Sequence, residues 1–117
     1  MNAGEIYTRL QRELKRRPYF VDLEVLEQTA SLIKARLVIS AGLFVQIYRN
    51  ERYQTTSLAL IFNGNRLYAR GELDGRWHRH LHTAPDEHDF SLEGQRIVSL
   101  TEFLDEVETI LAELDLP

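Results

Sequence analysis

The chain has 117 residues, of which 44% are hydrophobic and 27% charged, with a formal net charge of -4. A chain of this length buries roughly two thirds of its unfolded surface, so we expect a single domain over residues 1–117. It has no cysteine, which excludes disulfides, thiolate metal sites and cysteine nucleophiles. It also lacks a basic-then-apolar leader and any apolar run of the roughly 18 residues that span a bilayer, so we expect a cytoplasmic protein outside the membrane.

Charge differs between the two ends of the chain. Residues 1–17 carry five basic side chains, whereas residues 100–117 carry six acidic side chains and no base. Two explanations are open: terminal helices that pack side by side and neutralise each other, or a basic face offered to an acidic partner.

Apolar residues at helical spacing predict a helix at each end. The N-terminal pattern covers residues 3–16. Pro18 ends it, because the helical backbone conformation is disfavoured for the residue before a proline. Near the C-terminus, Ser99 and Glu102 have the spacing of a capping box and begin an apolar stripe over residues 100–114.

Alternating apolar and polar residues between these helices predict strands. They fall at about residues 19–25, 32–40, 43–48, 55–62, 66–73 and 76–82. Asn63-Gly64 and Asp74-Gly75 are typical two-residue hairpin turns. We expect loops at 49–52 and 83–96 and a short strand at 97–98. The predicted fold is α+β, a five- to six-stranded mainly antiparallel sheet with N-terminal and C-terminal helices packed on one face.

The four histidines of the chain all lie within residues 78–88. A two-residue turn at Asp74-Gly75 pairs His78 with Gly71 and His80 with Ala69.

The same rule at Asn63-Gly64 pairs Leu67 with Leu60 and Ala69 with Leu58. This register places the histidines on the core face with Leu58, Leu60, Phe62 and Leu67. The opposite face then carries Trp77, Arg79 and Leu81 together with Tyr68, Arg70 and Glu72. A bulge at either turn would invert the assignment.

A metal site is one hypothesis for the histidines. His78, His80 and His82 would project from one strand face, with His88 or Asp86 returning from the loop to complete the site. Neutral imidazole suits divalent zinc, nickel and iron.

Cleavage of RNA without a cofactor is the leading hypothesis, and the metal site is an alternative to it. His80 and His88 would be the acid–base pair, because histidine exchanges protons near neutral pH, and Arg79 would stabilise charge on the phosphate. The residues expected to bind RNA, by phosphate contacts or by stacking on bases, are Trp77, Arg70, Tyr68, Arg76 and His78.

Two further alternatives give the histidines neither a metal nor a catalytic role. The histidines would then be ordinary hydrogen-bonded or exposed residues, or the same surface would hold a protein partner. An antiparallel sheet with an uncovered apolar face also allows a homodimer.

Residues 77–80, Trp-His-Arg-His, followed by Pro85, His88 and the helix capped by Ser99, resemble the TumE-type small toxins of prokaryotic toxin-antitoxin pairs. The resemblance runs from about residue 19 to the C-terminus, and the matching positions are His80, Pro85 and His88. It implies a cytoplasmic toxin, encoded beside a DNA-binding antitoxin protein and acting on RNA. The chain departs from the family's Asn-Ala-Pro-His-His run, having Thr-Ala-Pro-Asp-Glu at residues 83–87.

Overall fold

The computed structural model of the chain describes residues 2–116, which form one six-stranded antiparallel sheet and two α-helices. The elements are α1 (Ala3–Arg16), β1 (Asp22–Gln28), β2 (Leu32–Ser40), β3 (Leu43–Asn50), a 3-10 turn (Glu51–Tyr53), β4 (Thr55–Phe62), β5 (Asn65–Leu73), β6 (Arg76–His80) and α2 (Leu100–Glu113). The predicted α+β class is confirmed. Neither of the two helices is long and apolar enough to cross a membrane.

Both helices begin at capping residues, of which Ser99 was predicted from the sequence. The Asn2 side chain accepts a hydrogen bond from the backbone N–H of Glu5 at 2.8 Å. At α2, Ser99 Oγ accepts from the Glu102 N–H at 3.1 Å, and the Glu102 carboxylate accepts from the Ser99 N–H at 3.0 Å. This reciprocal pair is the predicted capping box, which satisfies two N–H groups that the first helical turn leaves free.

A buried arginine joins the two helices. Arg17 is 4% exposed and bonds to Glu13 on α1, to Asp105 at 2.9 Å and to Glu108 at 2.7 Å on α2. Arg17, from the basic end of the chain, therefore pairs with two acidic residues of α2, as the first of the two explanations predicts.

The strands follow one another across the sheet in sequence order, and both helices cover one face, which we call the helix face. Alternate strand residues of this face form the core with α1 and α2: Ile33, Ala35, Leu37, Leu43, Val45, Ile47, Leu58 and Leu60. The opposite face carries no helix and is called the open face.

A bulge in β5 reverses the predicted face of the histidines. Ile61 pairs with Arg66 but Leu60 pairs with Tyr68, so Leu67 is an extra residue without a partner. The predicted pairs Leu67–Leu60 and Ala69–Leu58 are therefore wrong. The bulge turns Tyr68 toward α2, where its ring stacks on Phe103 at a centroid distance of 5.7 Å.

The β5–β6 register is as predicted. His78 pairs with Gly71 and His80 pairs with Ala69. Because β5 has slipped by one residue against β4, these pairs lie on the open face, and Trp77 lies in the core on the helix face.

Smaller boundaries also differ from the prediction. The first strand begins at Asp22 and not at residue 19, because residues 17–20 form a turn in which the Phe20 N–H donates a hydrogen bond to the Arg17 carbonyl. The third strand continues through Asn50, and residues 97–98 form no strand. The sixth strand ends at His80, so His82 lies beyond it.

Residues 81–98, which we call the edge segment, wrap around the outer edge of β6. The backbone of Asp89 pairs with that of Arg79 through N–H···O bonds of 2.8 and 3.2 Å, and their side chains form an ion pair. Beyond this bridge, Glu93 reaches the helix face and bonds to Arg70. The edge segment is therefore attached on both sides of the sheet.

Candidate metal centre

Three histidines meet on the open face at the β6 edge. His78 and His80 occupy alternate positions of β6 and so project to the same side, and His88 comes from the edge segment just before the Asp89 bridge. One ring nitrogen from each lies within 4.8 Å of the other two. We call these residues the histidine cluster. His78 and His80 are buried, at 9% and 4% exposure, and His88 is exposed.

A backbone carbonyl orients the ring of His80. Its Nδ1 lies 3.0 Å from the carbonyl oxygen of Pro85, which also accepts from Arg66 Nη2 at 3.0 Å. The carbonyl can accept a hydrogen bond from an Nδ1–H of neutral His80, the tautomer that leaves the lone pair on Nε2 free, and Arg66 Nη2 lies 3.3 Å from the same Nδ1. A metal-binding imidazole commonly has its second nitrogen held in this way.

The environment favours neutral imidazoles. Burial lowers the pKa of His78, and the neighbouring His80 and His88 lower it further. Burial also lowers the pKa of His80, with Arg66 and His88 adding to the effect and the Pro85 carbonyl and Asp86 opposing it. Both rings therefore offer a lone pair at neutral pH.

A pocket of about 240 Å³ opens beside the histidine cluster. Its floor includes the small residues Ser57, Ala69 and Gly71 on neighbouring strands, and Arg66 and Asp86 also line it. A side chain at Gly71 would not fit, because its Cβ would lie 2.9 Å from the Thr56 carbonyl oxygen and 3.5 Å from His78 Cε1. Small residues thus keep space free next to the imidazoles.

The geometry corresponds to three metal ligands with a free side. Catalytic zinc sites use three protein ligands and leave the fourth position to water or substrate. Asp86 lines the pocket but is not among the three residues whose ligand atoms converge. The third histidine of the cluster is therefore His88, whereas the strand pattern predicted His82 in that role.

His82 lies on the other side of the sheet edge. Its Nε2 is 3.5 Å from a carboxylate oxygen of Glu113 at the end of α2. The structure therefore brings together His78, His80 and His88 and leaves His82 apart.

Several residues expected to bind RNA lie on the helix face. Arg70 borders the pocket from within β5, but its fully buried guanidinium points to the helix face. There it forms two hydrogen bonds of 2.8 Å to Glu106 and two to Glu93, at 2.7 Å to the carbonyl and 2.8 Å to the carboxylate. Tyr68 donates to Glu106 at 2.9 Å, and its pKa is raised to about 12 by burial and by that carboxylate.

The remaining predicted residues divide between the two faces. Trp77 is 6% exposed in the core, and Arg79 pairs with Asp89, whose pKa it lowers to about 2. Arg76 lies near the cluster, with its guanidinium 4.1 Å from the ring centroid of Phe90, which stacks on His88. Of the predicted RNA-binding side chains, His78 and Arg76 therefore lie on the side of the histidine cluster, and Tyr68, Arg70 and Trp77 do not.

Sequence reasoning missed Arg66 and the Pro85 carbonyl as parts of the site, whereas the pairing of Gly71 with His78 was predicted. The position of Arg66 depends on the bulge at Leu67, which no local pattern indicated. The carbonyl of Pro85 is a backbone group, so the residue type carried no signal for it.

Comparisons with protein-family models, with curated proteins and with solved structures find no match. The resemblance to TumE-type toxins therefore stays a prediction, as do an antitoxin, RNA and a second copy of the chain as partners.

Proposed function

We propose that this protein binds one divalent transition metal ion through His78, His80 and His88, with an open coordination position facing the pocket. The convergence of the three ring nitrogens within 4.8 Å is the observation that carries the proposal. We expect the ion to be zinc, because imidazole is a common zinc ligand and three protein ligands are typical of catalytic zinc sites.

Two features beyond the ligands support a metal. The Pro85 carbonyl contacts His80 Nδ1 at 3.0 Å, which leaves Nε2 as the ring nitrogen available to a metal. Small residues next to the cluster leave room for a molecule at the open position. Zinc held by three histidines activates water and polarises ester or phosphoryl oxygens, so the reaction class that fits the site is hydrolysis.

The test is the metal content of the purified protein and of four variants after metal-replete expression. His78→Ala, His80→Ala and His88→Ala are each expected to remove most of the metal. His82→Ala is the matched control, because it deletes a nearby imidazole outside the histidine cluster.

We expect about one ion per chain in the wild type and in His82→Ala. A wild type without stoichiometric metal, or a control that loses as much metal as the cluster variants, would contradict the proposal.

Metal-independent RNA cleavage is the second candidate function. It is favoured by the ring centroids of His80 and His88, which lie 4.6 Å apart with Arg66 beside them, as an acid–base pair with a phosphate-binding cation requires. Under this alternative, RNA cleavage continues in excess chelator and is lost in His80→Ala and His88→Ala. Cleavage that stops with the chelator would instead favour the metal.

A further inference from the structure

Arg66 is an exposed residue at the start of β5, on the rim of the pocket. Its Nη2 donates to the Pro85 carbonyl at 3.0 Å and lies 3.3 Å from His80 Nδ1. One carbonyl therefore positions both the guanidinium and a ring of the histidine cluster. Arg66 is in this way linked directly to the proposed metal centre.

The charge of Arg66 has no close acidic partner. Arg17, Arg49, Arg70, Arg79 and Arg96 each pair with a carboxylate. Among residues 2–116, no carboxylate lies within 4.0 Å of the Arg66 side-chain nitrogens.

The pocket offers an anion a positive environment once the metal is bound. Asp86 is the acidic residue of the lining, and one carboxylate does not balance a divalent ion and a guanidinium together. A guanidinium also presents several N–H groups in a planar fork that matches carboxylate and phosphate oxygens. The small floor residues leave space for such a group in the pocket, which Arg66 and the histidine cluster both line.

We propose that the pocket recognises the oxyanion of its ligand, a phosphate or a carboxylate, with Arg66 binding the anion beside the metal. This inference rests on the proposed metal site and names the ligand chemistry of that site. Arg66 acts here as a binding residue, and the metal ligands remain the three histidines.

The experiment is calorimetric titration of zinc-loaded protein with inorganic phosphate and, in a separate arm, with acetate. We expect Arg66→Gln to weaken binding of the preferred anion about tenfold or more, the size expected when a charge-assisted hydrogen-bonding partner is lost. Arg66→Lys should lie between wild type and Arg66→Gln, because it keeps the charge without the fork. The tighter of the two arms identifies the anion as phosphate or carboxylate.

Arg52→Gln is the matched control, since Arg52 is an exposed arginine in the 3-10 turn, outside the pocket lining. Zinc content and thermal unfolding are measured for every sample. Fully zinc-loaded Arg66→Gln that binds both anions as tightly as wild type and Arg52→Gln would overturn the anion inference and leave the metal site standing. Wild type that holds no zinc would overturn the proposed function itself.

Discussion

At the scale of single residues, the candidate site depends on the contacts that orient each imidazole ring. His80 is held by a carbonyl at 3.0 Å, and His78 packs over a glycine. The pairing of His78 with Gly71 follows from the predicted turn, whereas the carbonyl contact of His80 is not visible in the residue types. Both contacts orient histidines that converge in space as well as in sequence.

Gly71→Ala tests the floor of the site. The added methyl would lie 2.9 Å from the Thr56 carbonyl oxygen, so the backbone of β4 or β5 must shift beneath the His78 ring. We expect a loss of about 1–3 kcal/mol in the free energy of unfolding, as for other overpacked positions, together with weaker zinc binding. Chemical denaturation and zinc titration against a competing chromogenic chelator measure the two effects.

Gly4→Ala is the control, because its Cβ would lie at an ordinary 3.5 Å from Asn2 Oδ1 near the start of α1. This variant should bind zinc as the wild type does. If Gly71→Ala did the same with unchanged stability, the close approach at the floor would have no part in shaping the site.

At the scale of elements, the edge segment supplies His88, and ion pairs contribute to its attachment to the sheet beside the Asp89–Arg79 backbone bridge. The Glu93 carboxylate bonds to Arg96 and Arg70, and these contacts lower its pKa from 4.5 to about 2. The carboxylate thus stabilises the fold above about pH 4.5, and this stabilisation is lost as the pH falls toward 2.

Glu93→Gln is therefore expected to lower the thermal unfolding temperature at pH 7, with the difference from wild type shrinking below pH 4.5 and vanishing near pH 2. Melting curves followed by circular dichroism across this range provide the test. Glu24→Gln, an exposed position on β1, should show no such trend. A constant difference at every pH would mean that the Glu93 charge does not hold the segment.

Arg70 joins β5 to α2 and to the edge segment. Removing one partner of a buried ion pair typically costs about 3–5 kcal/mol, and Glu106 keeps some solvent contact, so we expect Arg70→Met to cost about 3 kcal/mol. The double variant Arg70→Met with Glu106→Met should recover part of this loss, because no unpaired carboxylate remains. Denaturant unfolding measures both. A stable Arg70→Met protein would contradict a structural role for this arginine.

The elements themselves were predictable because their signals are local. The Ser99–Glu102 capping box and the two glycine turns lie within a few residues of the structure they specify. The face of the histidines was not predictable, because one unpaired residue at Leu67 reverses every later position of the sheet. The choice of His88 over His82 depends on the path of the edge segment, which is set by long-range contacts to Arg79 and Arg70.

At the scale of the whole molecule, the residues that stabilise the fold and the residues of the candidate site lie on opposite faces of one sheet. The helix face holds the core and the buried arginines, and the open face holds the histidine cluster and the pocket. Substitutions in the cluster should therefore change metal binding more than folding.

Under the proposed function, zinc should also stabilise the entire fold, because the three histidine nitrogens converge only in the folded chain. At a free zinc concentration of 100 times the dissociation constant, the gain is about 2.7 kcal/mol. The melting temperature is expected to rise with zinc in the wild type and in His82→Ala, and to stay unchanged in His88→Ala. Equal rises in all three proteins would place the bound zinc elsewhere.

X-ray absorption at the zinc edge of the metal-loaded protein tests the central claim most directly. The account predicts three imidazole nitrogens at about 2.0–2.1 Å from the ion plus one oxygen ligand from solvent. The spectrum should be unchanged in His82→Ala, whereas His88→Ala, which loses most of its zinc, should lose this three-imidazole signal. A spectrum with one imidazole or none, or one that His88→Ala leaves unaltered, would contradict it.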